Sequence, residues 1–279
     1  MRKIRVEEIT KEVSKMCIKA NCDLSEDVLK QIESFKENEK SPIGKDILEK
    51  ILLNADIASE KQVPICQDTG MAVFFVEIGD RVNIKGNIKK AINEGVRQGY
   101  KDGFLRKSVV KDPLIRDNTK DNTPAIIHYD FVEGDKITIH FAPKGFGSEN
   151  MGKLKMLKPS DGIDGVKDFV LDTVNKAGPN ACPPLVVGVG IGGTMEKACL
   201  LAKKALFRDL NSYNEKKHIK DLEHELLLKI NDLGIGPQGL GGRTTALKVN
   251  VETFPTHIAG LPVAVNLNCH VARHLTVEI

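Results

Sequence analysis

Ile65-Cys66-Gln67-Asp68-Thr69-Gly70 sets a cysteine, an amide, a carboxylate and a hydroxyl in unbroken succession. Such a run makes poor core and poor linker. Val63-Pro64 ahead of it favours extended backbone, because a proline ring crowds the residue before it, and Gly70 permits a tight exit. The apolar run Ala72-Val73-Phe74-Phe75-Val76 follows at once and reads as a buried strand reaching Ile78. Cys66 is therefore expected at the mouth of a strand, displayed rather than packed.

Upstream, Val6, Ile9, Val13, Met16, Cys17 and Ala20 recur at helical spacing and predict an amphipathic helix over 6–20. Asp23-x-x-Glu26 has the form of a capping box for a second helix carrying Leu24, Val28, Ile32 and Phe35. Ser41-Pro42 supplies an N-cap followed by proline at the first helical position. It opens a third helix through Ile43, Ile47, Ile51 and Leu52.

Downstream, residues 87–101 read as helix, and a polar, turn-rich stretch runs from Phe104 to Pro124. Ile126-Ile127-His128 and the run Lys136 to Phe141 flank Glu133-Gly134-Asp135, the pattern of a β-hairpin. His128 and His140 are expected to face solvent or a neighbouring strand. Lys144-Gly145-Phe146-Gly147-Ser148-Glu149-Asn150 is a second polar loop. Its glycines let backbone N–H groups approach a ligand, though a turn leaving the hairpin explains it equally.

A helix over 166–177 should end at Gly178, ahead of Asn180-Ala181-Cys182-Pro183-Pro184 and the strand Leu185-Val186-Val187. The next helix passes through Ala198, Leu201 and Ala205, with Cys199 expected in its packing. A charged helix follows over roughly 215–233 by its apolar spacing, then the glycine run Gly234 to Thr244. Strands Ala246 to Val251 and Pro262 to Leu267 enclose Phe254-Pro255-Thr256-His257, and Cys269 stands just after the second. The fold class implied is α/β in the mixed α+β sense: a helical N-terminal layer, residues 1–60, packed on a mixed-sheet part, 61–279, within one domain.

The formal charge of +3 gives no reason to expect nucleic acid or membrane as the main partner. Met1-Arg2-Lys3-Ile4-Arg5 is basic, but no apolar stretch follows as in a signal peptide, and no apolar run approaches bilayer length. The expectation is a cytoplasmic protein with reduced thiols. Its six cysteines include no CxxC pair, which argues against a disulfide framework or a zinc finger. Context sorts them: Cys66, Cys182 and Cys269 each lie beside a strand, whereas Cys17 and Cys199 fall in helical stripes and Cys22 at a helix end. Any metal site must gather ligands from distant segments.

Gly188-x-Gly190-x-x-Gly193 matches a dinucleotide fingerprint, following a strand and opening a helix. Asp209 lies about twenty positions on, as that motif requires, yet it leads from one helical segment into another instead of ending a strand. An NAD(P)-binding oxidoreductase is the alternative this loop leaves open.

Taken in order, Ile65 to Gly70, Gly147-Ser148-Glu149-Asn150, Asn180 to Pro183, Gly188 to Thr194, Gly234 to Thr244 and Phe254 to Cys269 give a chain that resembles a known family. It is similar to the α-type subunit of class I, iron–sulfur-dependent fumarate hydratases and tartrate dehydratases, over most of its length from residue 60 onward. The resemblance implies a [4Fe–4S] cluster held by Cys66, Cys182 and Cys269, with one iron left open as a Lewis acid. It gives Asp68 and His257 catalytic roles near the substrate oxygen. It makes Gln67 a substrate contact, Arg106 the clamp for one carboxylate, with Arg97 its rival, and the Gly147 N–H a donor to the other. The implied reaction is dehydration of (S)-malate to fumarate, with tartrate to oxaloacetate the close alternative. In fused members a second domain follows the third cysteine; here the expectation is a separate β subunit in an α2β2 assembly. A non-catalytic iron–sulfur protein is the remaining reading.

Overall fold

The computed structural model describes all residues, Met1–Ile279. In chain order the elements are β1 (Arg2–Arg5), α1 (Val6–Cys22), α2 (Glu26–Asn38), α3 (Pro42–Lys61), β2 (Met71–Gly79), β3 (Val82–Lys85) and α4 (Ile88–Asp102). Then come β4 (Ile126–Val132), β5 (Ile137–Lys144), α5 (Phe146–Glu149), β6 (Lys153–Leu157), α6 (Gly162–Ala177), β7 (Leu185–Gly192) and α7 (Met195–Ala205). The last are α8 (Lys217–Asn231), β8 (Ala246–Phe254), β9 (Leu261–Asn268) and β10 (Leu275–Glu278). This is the mixed α+β class expected. The chain forms two compact units: Met1–Ser25, Ala55–Phe146 and Arg273–Ile279 make the first, Glu26–Asn54 and Gly147–Ala272 the second.

The first unit is built on a four-stranded sheet of order β10-β5-β2-β4. β2 runs antiparallel to β5 and parallel to β4. The hairpin expected across Glu133-Gly134-Asp135 therefore does not form, because β2 lies between its two arms. β2 buries apolar side chains on both faces, Phe74 and Val76 on one and Val73 and Phe75 on the other, so a central position also satisfies both of its backbone edges. Phe75 stacks on His128 across the β2–β4 pair, and the Nδ1 of His140 lies 2.9 Å from the Thr276 hydroxyl, so both histidines meet neighbouring strands.

α1 and α4 bring Ile9, Val13, Met16, Ile92, Val96 and Tyr100 onto the sheet core around Phe74, Ile139 and Phe141. The two helices touch almost backbone to backbone. A Cβ on Gly95 would lie 2.7 Å from the Val13 Cβ, and one on Gly99 2.7 Å from the Cys17 Cβ. Cys17 is fully buried, and burial pushes its thiol pKa up. The capping box expected at Asp23 is absent. Asp23 instead ends α1, its N–H donating to the Lys19 carbonyl, while its carboxylate accepts from Ser59 Oγ at 2.8 Å. β1, parallel to β3, is a strand ahead of that helix which the sequence reading did not include.

The second unit centres on a sheet of order β6-β9-β7-β8, with β7 parallel to β8 and antiparallel to β9. α6 and α8 pack on one face through Val166, Val170, Leu222 and Leu226, and α7 covers the other through Ala198 and Ala202. Gly188 and Gly190 sit inside β7 under α7, where a Cβ would come within 2.2 Å of the Ala202 carbonyl and 2.1 Å of the Ala198 carbonyl. These glycines serve close helix–sheet packing. Asp209 lies in a turn after α7, accepting from the Asn211 N–H, and ends no strand.

Two packing expectations need correction here. The inward face of α7 is Ala198, Leu201, Ala202 and Ala205, so Cys199, one step off that stripe, is exposed. In α3 the Ser41 hydroxyl caps as expected, accepting from the Gly44 N–H at 3.1 Å. Yet Ile43 is 59% exposed, and the buried side is carried by Leu48 and Ile51. No helix is long and apolar enough to cross a membrane.

Candidate functional site

In the first unit the backbone of the Cys66 loop is tied down at nearly every residue. The Ile65 N–H donates to the Asn21 carbonyl at 2.9 Å. The Tyr100 hydroxyl donates to the Thr69 carbonyl at 2.6 Å, and Asn122 Nδ2 donates to the Gly70 carbonyl at 3.1 Å. Arg273 Nη2 donates to the Asp68 carbonyl at 2.8 Å. Tyr100, Asn122 and Arg273 are all buried, so these bonds are made where water does not compete. Gly70 has φ +72°, and a Cβ there would meet the Pro143 backbone at 2.5 Å. Only glycine fits.

That scaffold leaves functional groups projecting. The half-buried Cys66 sulfur accepts the Asp68 N–H at 3.4 Å and lies 3.3 Å from Gln67 Oε1. Asp68 is half-buried, with one carboxylate oxygen accepting the Gly70 N–H at 3.0 Å and the other the Phe146 N–H at 2.9 Å. Gln67 is exposed. Arg106 is drawn beside the loop by its carbonyl, which accepts from Thr69 Oγ1 at 2.9 Å, and its side chain reaches solvent. Arg97, the rival clamp, is engaged by Asp121 at 3.0 Å and by Glu94.

The second unit joins the segments bearing two more cysteines. Cys182 caps a short 3-10 turn over Gly178–Ala181 in a left-handed conformation, φ +54°, and is exposed. Its carbonyl accepts the N–H of His270, the residue after Cys269, at 3.3 Å. Gln238, from the glycine run, donates to the Pro183 carbonyl from its backbone and its side-chain amide, both at 2.8 Å. Gly147 lies beside this turn: a Cβ on it would meet the Asn180 carbonyl at 3.7 Å. His257 is exposed on the turn between β8 and β9, its Nδ1 accepting from the Ala259 N–H at 3.2 Å. The same turn is pinned to the turn that follows β7, since Thr256 Oγ1 donates to the Gly193 carbonyl at 2.9 Å.

Cys66 thus belongs to one unit and Cys182 and Cys269 to the other. Nowhere in the chain do three His, Cys, Asp or Glu side chains stand close enough to bind one metal ion. The donor chemistry nevertheless suits a thiolate-held iron cluster. None of the six cysteines forms a disulfide, and Cys66, Cys182 and Cys269 reach solvent, as does Cys199, while Cys17 and Cys22 are buried.

Sequence reasoning missed three supporting residues. Arg273, four positions after Cys269, is 3% exposed and also donates to Asn21 Oδ1 at 2.8 Å. Gln238 was passed over inside its glycine run. Glu39, just after α2, is a buried carboxylate accepting the N–H groups of Ser41, Arg243 and Thr244 and the Thr244 hydroxyl. Burial alone would raise its pKa, but those donors outweigh burial and hold it down at about 2. The one available signal was an acid amid the polar run that ends α2, which sequence alone reads as solvated.

Residues 10–278 match the family described as fumarate hydratase (Fumerase). The chain belongs to that family. Membership of the Fumerase family supports a hydro-lyase. A Methanocaldococcus jannaschii protein provisionally named L(+)-tartrate dehydratase subunit alpha is 46% identical over 257 residues, covering 90% of each chain. The L(+)-tartrate dehydratase subunit alpha of Escherichia coli K12 is 31% identical over 277 residues, 98% of this chain and 91% of its own. The Shigella sonnei protein of the same name matches to the same extent.

Proposed function

We propose that this chain is the α subunit of an iron–sulfur hydro-lyase acting on a C4 dicarboxylate that carries a 2-hydroxyl, converting (S)-malate to fumarate. The observation that supports it most is the bond from the His270 N–H to the Cys182 carbonyl, which joins two of the three cysteine segments within a Fumerase-family chain. Cys66, Cys182 and Cys269 would hold a [4Fe–4S] cluster, and in that role it would offer an iron without a protein ligand as Lewis acid for the substrate hydroxyl.

The remaining roles fall to the chain's own side chains. Asp68, its two oxygens fixed by backbone donors, transfers a proton at the substrate hydroxyl, donating it as water leaves in dehydration and taking it back in hydration. Gln67 offers its amide to the substrate. Arg106 takes a carboxylate in a bidentate fork, the geometry a guanidinium matches best, and the Gly147 N–H takes the other. His257 assists at the substrate oxygen. A β subunit, as the relatives' subunit names suggest, supplies the group that removes the C3 proton, in an α2β2 enzyme.

L(+)-tartrate dehydration to oxaloacetate is the second reading, and the relatives' names favour it. The deciding experiment reconstitutes the α and β chains anaerobically and assays (S)-malate and both tartrate enantiomers. Turnover of one substrate class selects the reading; inactivity on all three overturns the proposal.

A further inference from the structure

Gln238 is anomalous in its surroundings. Gly234, Gly236, Gly239, Gly241 and Gly242 take positive-φ positions in this run, yet Gln238 also stands at φ +54°, ψ 16°. A residue with a Cβ is strained there where glycine is not. The side chain must return something for that strain.

What it returns is a set of bonds around the two cysteines of this unit. Its backbone N–H and its side-chain amide both donate to the Pro183 carbonyl at 2.8 Å, and the amide nitrogen lies 3.0 Å from His270 Nδ1. The same Nδ1 lies 3.1 Å from the Cys182 carbonyl oxygen, which also accepts the His270 backbone N–H at 3.3 Å. The imidazole nitrogen thus sits between the Gln238 amide and the Cys182 carbonyl. Pro183 follows Cys182 and His270 follows Cys269, so Gln238 closes a ring through the backbone next to both thiols. The run that carries it is anchored in turn: Glu39 accepts from Arg243 and Thr244, and the Thr245 hydroxyl accepts the Gly236 N–H at 3.1 Å.

We infer that Gln238 is a positioning residue that sets the spacing of Cys182 and Cys269 by bridging the Pro183 carbonyl to the His270 imidazole. The inference rests on those two thiols serving one shared group, as proposed above. A merely structural glutamine would show its loss in the melting temperature, offset in part by the strain that glycine relieves, and would leave the thiol spacing unchanged. A spacing glutamine would change that spacing.

The test uses the full-length chain with Cys66→Ser and Cys199→Ser, leaving Cys182 and Cys269 as its solvent-reaching thiols. Dibromobimane, which fluoresces on bridging two nearby thiols, is followed in this parent, in Gln238→Gly and in Gln238→Asn. Asparagine tolerates the left-handed backbone but is one methylene too short to bridge. The expected result is efficient bridging in the parent, a melting temperature unchanged or raised in Gln238→Gly, and bridging roughly tenfold slower in both variants, the lower end of what outer-shell partners contribute. Equal bridging in all three proteins, or none in the parent, overturns the inference. A separate arm reconstitutes the otherwise native chain and Gln238→Gly with iron and sulfide, then follows iron release to a chelator, expected to quicken about 10–100-fold in the variant. Failure of the native chain to take up iron defeats the proposed function, while Gln238-dependent bridging would still uphold the spacing role.

Discussion

The Cys66 loop and the Cys182–Cys269 pair are held by opposite means. The first is a short polar segment whose carbonyls are gripped by buried side chains from distant parts of the chain, Tyr100, Asn122 and Arg273. The second is held by backbone: a left-handed turn at Cys182, a main-chain bond to His270, and one glutamine in a glycine run. Buried polar anchors are part of the core, so disturbing them disturbs the fold. A backbone bracket at the surface can be altered while the core stands. One cysteine is positioned by stability, the other two by conformation.

The comparison breaks most completely at the sulfurs. Cys66→Ser and Cys182→Ser should each abolish the brown colour of anaerobically reconstituted protein, whereas Cys199→Ser should leave it, as read by absorbance and iron analysis. Loss of colour in Cys199→Ser would dissolve the sorting of the thiols. Next in size is Arg273→Met. Without its guanidinium, Asn21 Oδ1 and the Asp68 carbonyl lose charge-assisted donors inside the first unit, a cost of about 3 kcal/mol or more in urea unfolding. Gln238→Gly should stay within about 1 kcal/mol of the parent, so equal destabilisation by the two changes would erase the contrast.

Glu39 gives a pH-dependent counterpart in the second unit. Its folded pKa, about 2, lies below the unfolded value, so its contribution is fully present above the unfolded pKa. It is lost as pH falls from about 4.3 towards 2. Glu39→Gln should remove about 3 kcal/mol at pH 7, and progressively less as the solution is acidified, measured by urea unfolding at pH 7, 4 and 3. A deficit that does not shrink in acid would deny the carboxylate this role. The smallest effect is at Tyr100→Phe, which removes one hydroxyl from the Thr69 and Gly70 carbonyls. About 1–2 kcal/mol should be lost, with the malate or tartrate KM raised more than the same loss from a core site remote from the loop.

Much of this was legible because it is local. Helical spacing located α1, the Ser41 hydroxyl announced α3, Gly178 ended α6, and Pro64 and Gly70 framed Cys66 at the entrance to β2. Each depends on residues within a turn or two of one another, and side-chain pattern encodes those directly. Tertiary structure decided which segments meet. β2 displaced the expected hairpin because a strand apolar on both faces needs partners on both edges. Gly188 and Gly190 became packing surface for α7, and Cys199 turned outward by one position of helical phase. Arg273, Glu39 and Gln238 read as ordinary polar residues in one dimension. Their roles arise only where folding brings otherwise unpaired backbone groups within hydrogen-bonding reach, a demand set by desolvation that no local pattern records.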